Sequence, residues 1–152
     1  MIQRVQSIWL FLAALVLVIM IFMPIATKEV NGTSVTISIK DLTQTFSGSG
    51  LLVKTNLPLL ITDTVLVIIC LVNIFNFRRR SSQKRVAIFT IAAIIGFAFW
   101  CGIYVKQIQG GVEGASFGIG AYLPAVAILF IVLAILGINK DERLIRSAER
   151  LR

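Results

Sequence analysis

The chain has 152 residues, of which 57% are hydrophobic and 14% charged. A mean hydropathy of +0.91 is too apolar for a soluble domain of ordinary composition, so lipid must be part of its solvent. The net charge of +8 admits either nucleic acid or a membrane surface as partner, and the placement of the cations decides between them.

A hydrocarbon core of about 30 Å takes roughly 20 apolar residues as helix. Four stretches approach that length: 8–25, 57–77, 86–105 and 121–138. The expected fold is an all-α membrane protein, a single four-transmembrane-helix bundle over residues 1–152. A small β-hairpin in the first outward loop and a short amphipathic C-terminal helix complete it. Four spans leave no room for a soluble catalytic domain.

The first span follows the polar start Met1-Ile2-Gln3-Arg4-Val5-Gln6-Ser7. Pro24-Ile25-Ala26 loosely resembles a cleavage site, but an apolar stretch of about 18 residues exceeds the 7 to 15 of a cleavable leader, so it reads as a retained anchor. The outward loop 27–56 then switches to period two at Val35, Ile37 and Ile39. Asn31-Gly32 between β-prone runs favours a type I′ turn, which predicts a hairpin or three-stranded cap lying on the helix ends. Ser47-Gly48-Ser49-Gly50 closes that loop as a flexible segment.

Pro58 falls in the first turn of the second span, where its missing N–H costs nothing. A short turn over 78–85 makes the second and third helices antiparallel neighbours. The second outward loop, 106–120, holds Gly110, Gly111, Gly114, Gly118 and Gly120, too many glycines to hold one conformation unaided. Tyr122 and Pro124 begin the fourth span. Beyond Gly137, Asn139 followed by Glu142 resembles a capping box. Leu144, Ile145, Ala148 and Leu151 form an apolar stripe, which predicts a separate amphipathic helix lying on the inner leaflet.

Eleven of the 15 cations fall on one side: Arg4, the loop residues Arg78, Arg79, Arg80, Lys84 and Arg85, and the tail residues Lys140, Arg143, Arg146, Arg150 and Arg152. The other side has Lys28, Lys40, Lys54 and Lys106. The positive-inside rule therefore places both termini and the 78–85 loop in the cytoplasm, with the basic loop against anionic headgroups. Topology accounts for the basic run without nucleic acid or ribosome.

Cys70 and Cys101 lie at different depths of different spans, which argues against a disulfide and makes both small packing residues. With no histidine, zinc and haem ligand sets are missing, and no cofactor is expected. Three polar residues fall within the spans. Asp63 reads either as a proton or cation site or as a shallow carboxylate reached by water or paired with Lys54 or Lys106. The spans hold no second charge to complete a relay, which weighs toward the second reading. Asn73 and Thr90 sit at matching depths and predict an interhelical hydrogen bond. Ala92 and Gly96, and Ala121 and Ala125, have the small-xxx-small spacing of close helix packing, read as internal ahead of a homodimer face. Trp9, Trp100, Tyr104 and Tyr122 read as interfacial anchors.

The opening Met1-Ile2-Gln3-Arg4-Val5-Gln6, the loop Phe77-Arg78-Arg79-Arg80-Ser81-Ser82-Gln83 and the closing run Lys140 to Arg152 together resemble a Bacteroidetes family of small four-helix inner-membrane proteins classed as a domain of unknown function. The resemblance spans the chain and implies no catalytic residues. Within the tail, Asp141, Glu142 and Glu149 are not explained by lipid attraction, and Glu142 and Arg146 stand at i,i+4. These features favour a non-enzymatic accessory subunit or assembly factor of a larger inner-membrane complex, such as one for protein secretion or membrane insertion, docking other inner-membrane proteins through its tail. The alternative is a small proton-coupled transporter using Asp63. A lipid-modifying enzyme ranks last for want of catalytic groups.

Overall fold

The computed structural model describes residues 3–30, 33–46, 51–76, 80–106 and 114–149. Four helices account for most of them: α1 (Gln3–Phe22), α2 (Leu57–Phe75), α3 (Arg80–Lys106) and α4 (Leu123–Glu149). They pack as a ring in which each helix touches its sequence neighbours and α4 closes on α1. Leu57–Phe75, Ser81–Lys106 and Ile119–Asp141 are each long and apolar enough to cross a membrane, and Gln6–Phe22 is a shorter apolar helix.

The ring encloses an apolar core and also presents large apolar side chains outward. On α2 the buried residues are Leu59, Asp63, Leu66, Val67, Cys70 and Asn73, at helical spacings of three and four with Val67 beside Leu66. Its opposite face exposes Ile61, Val65, Ile68, Val72 and Phe75. An outer face this apolar accords with helices long and apolar enough to cross a membrane. Ala13, Ala14, Ala87, Ala127 and Ala134 line the interior at the close approaches.

One end of the bundle is covered by a sheet of β1 (Pro24–Val30), β2 (Thr33–Ser38), β3 (Asp41–Phe46), β4 (Leu51–Thr55) and β5 (Ser116–Phe117). All pairs are antiparallel, in the order β4-β3-β2-β1-β5. The expected hairpin is thus larger, with four strands from the first loop and a fifth from the second. Val30 pairs with Thr33, leaving the two-residue Asn31-Gly32 connection that the sequence indicates. Its turn type lies outside the described residues, as does the segment 47–50. Val35, Ile37 and Ile39 are buried as the period-two pattern requires, and with Ile25 and Ala26 they join the helices' own core.

Several boundaries differ from expectation. The first helix ends at Phe22 and not at residue 25, because the residue before Pro24 is disfavoured in helix and the chain turns at Met23 into β1. The second loop is ordered where described: β5 hydrogen-bonds β1, and a single 3₁₀ turn, Ile119–Ala121, leads into α4. Gly118 and Gly120 serve close contact, since a Cβ on either would run into the Pro24 carbonyl oxygen. The 78–85 turn is shorter than predicted because α3 already begins at Arg80; Arg78 and Arg79 lie outside the described residues. The separate tail helix does not exist. α4 runs unbroken from Leu123 to Glu149, so Asn139 is no cap.

Candidate functional site

At the end of the bundle away from the sheet, the buried stripes of all four helices finish in polar residues. Gln6 on α1, Asn73 on α2, Gln83 on α3 and Asp141 on α4 are each 5% exposed or less. Gln6 donates its side-chain N–H to Asp141 Oδ2, joining the first turn of α1 to the last third of α4. Asn73 donates to the Gln83 carbonyl at 3.2 Å, and Gln83 donates back to the Asn73 carbonyl at 3.3 Å. Asn76 donates to the Ser82 hydroxyl at 3.1 Å. Lys84 Nζ donates to Asn139 Oδ1 at 2.6 Å, tying α3 to α4.

This belt corrects three expectations. Asn73 does not bond to Thr90, whose hydroxyl donates to the Val86 carbonyl of its own helix at 2.8 Å. Because α3 starts six residues before the predicted span, Gln83 stands opposite Asn73 and Thr90 lies deeper. Asp141 is not a docking residue, since it faces inward onto Gln6. Lys84 is not simply a headgroup cation, since it also bridges two helices. Gln6 and Gln83 escaped the sequence reading. Both lie three or four residues from a buried apolar position, Gln6 before Leu10 and Gln83 before Ala87, and that helical spacing could have found them.

Beyond the belt, α4 continues as helix to Glu149. Lys140 and Arg143 are exposed on it, as is Arg85 on the adjoining α3. Arg80 opens α3; Glu142 and Arg146 continue the α4 backbone, while Arg150 and Arg152 lie outside the described residues. The 27 residues of α4 span about 40 Å, more than the roughly 30 Å of a hydrocarbon core.

Toward the sheet end, Asp63 is 0% exposed and neither of its oxygens has a hydrogen-bond partner. The expected access to water, or pairing with Lys106, is replaced by burial without a donor among the described residues, and the Lys54 side chain lies outside them. Its place on the Leu59–Leu66–Cys70 stripe explains this, for that stripe is the packed face of α2. Cys70 and Cys101 are free and buried. Of the small residues expected to pack internally, Ala121 lies against the core while Ala92, Gly96 and Ala125 are exposed. Trp9 stacks on Phe130 with ring centroids 5.8 Å apart, and Trp100 lies against Tyr104 at 6.3 Å.

Among the described residues no group of three or more His, Cys, Asp or Glu is placed to hold a metal. The family described as Domain of unknown function (DUF4293) matches residues 2–151. The chain belongs to this family. No curated protein matches it. The DUF4293 match extends from the first turn of α1 through the α4 extension, so the helices, sheet and polar belt all fall within the family's domain.

Proposed function

We propose that this protein is a non-enzymatic accessory subunit or assembly factor of a larger bacterial inner-membrane complex, serving protein secretion or membrane insertion. In this reading α1 to α4 cross the membrane four times, with both termini in the cytoplasm and the sheet on the opposite side. The cation asymmetry supports that orientation, since the residues flanking the polar belt carry most of the lysines and arginines.

The observation that carries the docking role is the unbroken α4. A helix lying on the inner leaflet would need a break near Gly137 or Asn139, and none occurs. The extension instead leaves the bundle as a fixed rod clamped by Gln6–Asp141 and Lys84–Asn139, with Lys140 and Arg143 turned outward. A rigid basic helix suits an acidic protein surface, because no ordering cost remains to be met on binding.

Reversing Lys140 and Arg143 to glutamate leaves every clamp contact in place. Tagged wild-type protein should co-purify a membrane complex at fixed stoichiometry, and the double variant should lose it at unchanged thermal stability. Wild-type protein that purifies natively as a monodisperse species with no partner refutes the reading.

The buried, unpartnered Asp63 favours a second reading, a small proton-coupled transporter. There, Asp63→Asn should abolish transport in liposomes and leave partner co-purification intact.

A further inference from the structure

Asp63 lies six residues into α2, about 9 Å from the sheet end of that helix. Cys101 lies five residues from the sheet end of α3, about 7.5 Å, so the two face the same layer of the bundle. From α1 the layer receives buried alanine, leucine and methionine, and the one titratable side chain of that helix, Arg4, is at the opposite end. The charged groups described on the sheet side are Lys28, Glu29, Lys40, Asp41 and Lys106, and none of them donates a hydrogen bond to Asp63.

The adjacent hydroxyls are also committed. Thr62 donates to the Pro58 carbonyl and Thr64 to the Leu60 carbonyl, each at 2.7 Å on the helix's own backbone. Asp63 therefore sits in a closed, apolar layer with both oxygens free of donors.

We propose that Asp63 is a proton-binding site enclosed by α1, α2 and α3, occupied as the neutral carboxylic acid. Three occupants were possible for a buried carboxyl, and the geometry selects among them. A metal ion takes six or more oxygens in the calcium or magnesium case, and this layer offers one side chain among backbone carbonyls already used in helices. A cation from a partner protein cannot reach a group with no exposed surface. A proton needs one oxygen and no further ligand, and it removes the charge whose burial without a partner is prohibitive. Proton release then requires α2 to part from α1 or α3, because only water or a new cation can stabilise the anion. Occupancy and bundle opening are two aspects of one equilibrium. The inference holds whether or not the protein transports anything, and it does not touch the docking role of α4.

Infrared spectroscopy of the full-length protein in liposomes, made with carboxyl-¹³C aspartate, tests it. At pH 7 the labelled protein should show the carbonyl stretch of a protonated carboxylic acid, and Asp63→Asn should lose that band. Sodium, potassium or magnesium chloride should leave it unchanged. If labelled wild-type protein has only ionised-carboxylate bands, Asp63 is charged and the proposal fails, a result that needs no variant to fold. Displacement of the acid band by one of the salts would make Asp63 a metal site and overturns it equally.

Discussion

Asn73 and Gln83 each donate a side-chain N–H to the other's main-chain carbonyl, a reciprocal pair closed within the polar belt. Gln83→Ala removes one of the two bonds while the main-chain carbonyl at 83 still accepts from Asn73, so it should cost about 0.5–1.5 kcal/mol. Thr90→Ala loses only a bond to its own helix backbone and should cost less than about 0.5 kcal/mol. Thermal unfolding in detergent separates the two, and equal shifts would contradict the pairing. Asn73 was legible in the sequence as a polar group in an apolar run. Its partner was not, because Arg80-Ser81-Ser82-Gln83-Lys84-Arg85 has no apolar periodicity and hydropathy cannot see a helix begin there. Asp63 was legible for the same reason as Asn73. Its full burial was hidden because depth along a helix says nothing about which side of the helix faces the bundle.

The second outward loop was read from its glycines and the tail boundary from Asn139 and Glu142. Glycine marks either a break or a close approach, and the difference depends on what lies across from it. A Cβ on Gly137 would sit 3.1 Å from Gln6 Cγ, so that glycine lets α1 approach an unbroken α4. Gly118 and Gly120 looked like loop flexibility, yet they admit the Pro24 backbone beneath the sheet edge. Gly118→Ala should therefore destabilise the protein by about 1–3 kcal/mol and expose the second loop to protease. Gly96→Ala, with nothing within 4 Å of its Cβ, should instead stabilise α3 by roughly 0.5–1 kcal/mol. A loss of similar size at both positions would contradict the packing at Pro24. The strands of the first loop were more accessible to sequence reasoning, since Val35, Ile37 and Ile39 signal period two directly. The fifth strand is two residues long and pairs across some 90 positions, beyond any local pattern.

For the molecule as a whole, helix number and order were the most legible features, because apolar length and antiparallel connection are written locally. The proposed orientation makes a direct prediction. Green fluorescent protein fused after residue 152 should fluoresce, and alkaline phosphatase inserted at residue 48 should be active, whereas the reverse pattern would invert the topology. The sheet adds a constraint of another kind. Its strands β1 to β4 are all synthesised before α2, but the strand that covers the free edge of β1 comes from the far side of α3. During synthesis that edge remains open to any passing extended chain until α3 and the segment after it have been made. The cap can close only on a chain whose first three helices already exist, so its last strand is added with one helix still to come.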